Sequence, residues 1–182
     1  MAGLKIKLPR NIRSFNVFLA KIKKKYTGMG VEIGVVKNSR GIIKRGSKKG
    51  QPKKITVAEE AFYNCMGVPE MNIPPRDYQT RTIEANKENW NKYAKRALKT
   101  QGTLQVVKAL GISAKDETKA TIANFGEPAN AYVTVHGGWI RNKVSGKMVY
   151  VEGKGKNQPL VDNGDLLKSI TYQIIGKDGK KK

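Results

Sequence analysis

Carboxylates are scarce in this chain: 14 Asp and Glu stand against 36 Lys and Arg in 182 residues, a formal net charge of +22. Cys65 is the sole cysteine and His136 the sole histidine. An intramolecular disulfide is therefore excluded, and soft ligands are too few for a structural zinc site, so neither a metal nor a cofactor is expected. No apolar run approaches the roughly 18 residues a membrane span needs. Lys5, Lys7 and Arg10 precede only a short apolar patch from Phe15 to Ala20, which lacks the h-region and cleavage site of a signal peptide. The expectation is a chain that is cytosolic when made and has no membrane contact. Catalytic patterns are missing as well. There is no Gly-x-Ser-x-Gly elbow, and Gly153-Lys154-Gly155-Lys156 has neither the full phosphate-loop pattern nor a helix after it. His136 stands beside Gly137 and Gly138 without a Ser, Cys or carboxylate neighbour to work with, so it reads as part of a structural turn, and no catalytic residue is assigned.

What is abundant is positive charge, and it is uneven. Residues 1–60 hold 16 Lys/Arg against 3 acids, residues 61–140 hold 10 against 7, and residues 141–182 hold 10 against 4. Cationic ends around a balanced middle suit contact with polyanions, since neutralising phosphates releases condensed counterions. They equally suit solvation or acidic neighbouring subunits. Lysine outnumbers arginine 28 to 8, which argues against bidentate reading of bases. The densest acid-free stretch, residues 37–54, is too polar to bury and reads as a long solvated loop or flexible hairpin, mobile until assembly. Lys44, Arg45, Lys48, Lys49, Lys53 and Lys54 within it are the candidate nucleic-acid contacts.

The hydrophobic content of 38% is that of a globular domain, and the length supports one core. Phe15, Leu19 and Ile22 could line a helical face in a basic N-terminal arm over residues 1–28. Val31, Ile33 and Val35 alternate as a strand of the main sheet. Thr56 and Glu59 form a capping box that starts a helix, which Gly67 can end. Ile83, Trp90, Tyr93, Ala94, Ala97 and Leu98 form the apolar stripe of a longer helix. Leu104, Val107, Gly111, Ala114, Thr118, Ile122 and Phe125 form another stripe, either continuous or broken at Gly111. Tyr132 to Val135 alternate as a strand. Trp139-Ile140 and Met148 to Val151 follow as further strand segments around a turn at residues 144–147. The expected fold is α+β: an antiparallel or mixed sheet packed by two or three helices, in one domain over residues 29–175, with a long basic loop, a basic N-terminal arm and a basic tail at residues 176–182.

Two short stretches carry the most specific information. In Ile73-Pro74-Pro75-Arg76-Asp77-Tyr78 each proline fixes its own φ and holds the preceding residue extended, so a helix can begin only after Pro75, at a rigid elbow. In Pro159-Leu160-Val161-Asp162-Asn163-Gly164-Asp165-Leu166-Leu167-Lys168-Ser169-Ile170 an Asp-Asn-Gly turn feeds one helical turn and then the strand Thr171 to Ile175. In this order, with the capped helix at Thr56 upstream, residues 29–175 resemble the phage tail-completion, or neck, family of long-tailed phages. Gly67, Pro74, Arg76, Pro159, Leu160, Asp162, Gly164, Leu166, Ser169 and Ile170 fit that pattern. Tyr78 replaces a Phe, Asp77 stands where a second proline is common, and Asn163 replaces Thr. The resemblance implies a non-enzymatic virion protein at the neck or top of the tail, made in the host cytoplasm. It implies a homomeric ring, often a hexamer, between the tail tube and the head-connector protein, near packaged DNA. A non-specific nucleic-acid-binding protein is the alternative that the charge supports.

Overall fold

The computed structural model describes residues 18–20, 28–36, 39–43, 48–142 and 145–176; for residues 18–20 the description is of the backbone. Strands β1 (Phe18–Ala20), β2 (Gly30–Val35) and β5 (Ile170–Ile175) form one antiparallel sheet with β2 in the centre. Its register sets Val31 opposite Ile174, Ile33 opposite Tyr172 and Val35 opposite Ile170. Because side chains alternate between faces, these six share one face. Helix α3 (Thr103–Ala123) packs on β2 and β5, and helix α2 (Tyr78–Ala97) packs on α3. Val31, Ile33, Val106, Leu110, Ala114, Ile170 and Ile174 are all buried in this layer. The α+β architecture expected from the sequence is the one observed.

Helix α3 runs unbroken through Gly111, because the ring of Tyr172 lies where a Cβ at that position would sit: its Cε2 would be 2.7 Å away. The glycine is there for close approach between helix and strand. Leu104 is exposed, since burial begins one half-turn later at Val106, and Tyr93 is exposed at the edge of the stripe formed by Trp90, Ala94 and Ala97. Two further expectations are corrected. Residues 18–20 form a strand rather than part of a helix over Phe15 to Ile22, because the open edge of β2 supplies hydrogen-bond partners that local periodicity does not reveal. Residues 1–17 and 21–27 of the N-terminal arm and residues 177–182 lie outside the described residues. Tyr132–His136 forms a short helix, α4, not a strand. The amides of Thr134 and Val135 turn back to the Ala131 carbonyl, while the carbonyls of Thr134 and Val135 accept from the amides of Lys154 and Gly155. This local and tertiary satisfaction overrides the β-propensity of the Val-Thr-Val run. Strands β3 (Gly138–Arg141) and β4 (Met148–Val151) then pair antiparallel, as the turn around residues 144–147 predicted.

Helix α1 (Val57–Met66) starts at the predicted capping box: the Glu59 amide donates to Thr56 Oγ1 at 3.2 Å and the Thr56 amide to Glu59 Oε2 at 2.8 Å. A one-turn helix α5 (Asp165–Ser169), entered through left-handed Gly164, packs on α1 before the chain enters β5.

Candidate functional site

The elbow is built from α1, the chain reversal after it, and the start of α2. Gly67 takes φ +74°, and a Cβ there would meet the Pro75 nitrogen at 2.7 Å and the Ile73 carbonyl at 2.9 Å. Val68 and Ile73 exchange backbone hydrogen bonds, and the Arg76 amide donates to the Asn64 carbonyl at 2.8 Å. Pro74 and Pro75 thus leave Arg76 in one direction only. Its side chain, 6% exposed, donates from Nε to the Pro128 carbonyl (3.0 Å) and from an η nitrogen to the Ala129 carbonyl (3.1 Å). Arg76 ties the head of α2 to the segment that leaves α3. The side chain of Asp77 caps α2 by accepting from the Thr80 amide, and Tyr78 is fully buried in the position where the resembling pattern has Phe. Arg81 lies over the Phe125 ring at 4.4 Å, a second tie between the same two helix ends.

The ending motif supplies another part of the core. Pro159, Leu160, Leu166 and Ile170 are buried, while Asp162 and Ser169 are partly exposed. Lys53 links this motif to α1, with Nζ 2.8 Å from Glu60 and 3.7 Å from Asp165. Burial opposes its charge. The hydrogen bond to Glu60 and the carboxylates of Glu60, Asp165 and Asp162 outweigh that and raise the ammonium pKa above the usual lysine value.

The candidate nucleic-acid residues are therefore divided. Lys48, Lys49 and Lys54 are exposed, but Lys53 is committed to an internal ion pair, and Lys44 and Arg45 lie outside the described residues. Among the described residues of the basic stretch, the backbone of 41–43 pairs with that of 50–53 in a hairpin. The Ile43 amide donates to Gln51, the Gly50 amide to Ile43 and the Lys53 amide to Gly41, each at 2.8 Å.

Residue-type reasoning placed the β3–β4 ribbon but missed a third feature, the exposure of its apolar side chains. Trp139 pairs with Tyr150 and Arg141 with Met148 on one face, while Ile140 pairs with Val149 on the other. The rings of Trp139 and Tyr150 meet edge to face at 5.6 Å and are 66% and 58% exposed. Ile140, Met148 and Val149 are exposed as well. The signal was present: a run with apolar residues at both odd and even positions marks a strand with two apolar faces, which demands cover on both.

His136 is exposed and stacks on Tyr132, with centroids 4.3 Å apart. Cys65 is buried and its thiol is pushed up to about 12, first by burial and then by the adjacent Asp77 carboxylate. Among the described residues no group of three or more His, Cys, Asp or Glu could hold a metal ion, and no helix is long and apolar enough to cross a membrane. No protein-family model matches the chain, and no curated protein or solved structure is significantly similar to it.

Proposed function

We propose that this chain is a non-enzymatic structural protein of a phage particle, a tail-completion protein that forms a ring joining the tail tube to the head connector. The observation that carries this reading is the β3–β4 ribbon. A two-stranded hairpin alone is marginal in water, and one with apolar side chains on both faces is stabilised by a partner surface. An assembly protein has such a partner. Support also comes from the two motifs of the resemblance, both of which occupy structural positions: Arg76 and the prolines set the elbow, and Leu160, Leu166 and Ile170 close the core. A ring of identical subunits joins one surface to a different one on its neighbour, so a free subunit can remain monomeric until a template sets the rotation.

The exposed Lys48, Lys49 and Lys54 favour one second reading, a non-specific nucleic-acid-binding protein. One experiment separates the two. A phage deleted for this gene is expected to yield filled heads and separate tails that the purified protein joins into infectious particles. Normal particles from the deletion, or a defect confined to replication or transcription, would sink the joining role in favour of the second reading.

A further inference from the structure

The ribbon's own charge narrows what covers it. From Gly138 to Val151 the chain carries Arg141, Lys143 and Lys147 and no carboxylate, so two ribbons repel each other and the covering surface must be apolar and not cationic. The other long exposed face of the described helices fails that requirement. On the outer side of α3, Leu104, Lys108 and Ile112 recur every four residues, so the exposed apolar pair has a lysine between its members.

One region meets it. Residues 55–86 contain no lysine and hold five carboxylates against Arg76 and Arg81. Arg76 is buried and turned toward main-chain carbonyls, and Arg81 lies over Phe125. Glu59 and Glu60 serve the α1 cap and Lys53, and Asp77 caps α2; Glu70, Asp77 and Glu84 are all exposed. On the same stretch of chain Met66 is 56% and Met71 67% exposed. Methionine is flexible and polarisable, and its sulfur packs well on aromatic rings.

We infer that the β3–β4 ribbon of one copy docks on the elbow surface around Met66 and Met71 of the next copy, with Arg141 and Lys147 against its carboxylates. This rests on the ring reading above and names the two surfaces of its interface. Ribbon and elbow are different surfaces, so the contact is heterologous and propagates from copy to copy until the rotation closes. The paired strands alone extend about 13 Å, at about 3.3 Å per residue.

The test is a full-length chain carrying Met71→Cys and Tyr150→Cys, oxidised at low salt, with Cys65 out of reach in the core. The expected product is a ladder of covalent multimers that ends at the ring number, while each single variant stops at dimers. Mixed single variants should give a hetero-dimer whose cross-linked peptides contain positions 71 and 150. Arg141→Glu should abolish the ladder, and adding Glu70→Arg should restore it. A bridge within one chain, or cross-links only between equal positions, would overturn the inference. So would a monomeric double variant when native mass spectrometry shows rings of the unmodified chain; the ring reading would then stand without this interface. Quenching of Trp139 emission by oligo(dT), with no ladder, would reassign the ribbon to single-stranded nucleic acid. If the unmodified chain forms no ring even with tail tube and connector supplied, the ring reading fails first and the inference falls with it.

Discussion

Arg76→Ala is expected to lower stability. The side chain makes two charge-assisted hydrogen bonds to carbonyls 52 and 53 residues along the chain, at 3.0 and 3.1 Å. Bonds of this kind contribute about 1.5–3 kcal/mol each, and the carbonyls of Pro128 and Ala129 lose their donors when the side chain goes. Part of that loss is offset, because the guanidinium no longer has to be desolvated. The net cost is about 2–4 kcal/mol. At about 2–4 °C per kcal/mol for a chain of this size, the melting temperature should fall by roughly 5–15 °C. Arg76→Lys keeps the charge but not the planar fork, so about half of the loss should remain. Arg76→Met fills the volume without a donor and separates packing from hydrogen bonding. Circular dichroism melts of the three variants read the outcome directly. If Arg76→Ala melts within about 2 °C of the parent chain, the tie between the elbow and the exit of α3 carries no free energy and the structural account of the motif is wrong.

Thr56→Ala removes the acceptor for the Glu59 amide and should cost about 1 kcal/mol in a denaturant titration. Glu59 itself is held below the usual carboxylate value by the Thr56 amide and then the Thr56 hydroxyl, so its contribution is complete above the usual value and is lost as pH falls through the lowered one. Glu59→Gln should flatten that acid limb of the stability profile. Lys53 has the opposite sign: its pKa is raised in the fold, so the stabilisation is complete below the ordinary lysine value and is lost as pH climbs through the raised one. Lys53→Met should remove this alkaline limb, and an unchanged alkaline profile would refute the ion-pair assignment. Cys65 should resist Ellman's reagent at pH 8 in the folded chain and react once denaturant exposes it, since its thiol is pushed up to about 12 by burial and by Asp77. Rapid labelling of the native chain would show that α1 opens.

Local chemistry was readable directly from the residues. The capping box at Thr56 and Glu59, the elbow at Pro74 and Pro75, the turn at Gly164 and the alternation of Val31, Ile33 and Val35 each depend on a few consecutive positions, and each stands where the sequence placed it. The α+β class follows from those elements together. Contacts between distant segments were not readable. Phe18–Ala20 became a strand only because β2 had an open edge, and Tyr132–His136 became a helix because residues 154 and 155 satisfied its carbonyls. Gly111 could have broken α3 or admitted a neighbour, and the Tyr172 ring decided in favour of the neighbour. Among the lysines of the basic stretch, composition made Lys53 equal to Lys48 and Lys49; only the meeting of α1 and α5 drew Lys53 inward to Glu60 and Asp165. Composition likewise gave Met71 and Trp139 no special standing, and their exposure follows from where the folded core stops. Backbone geometry and capping act over a few residues and are written in order along the chain, whereas burial and charge pairing depend on which distant segments the fold brings side by side.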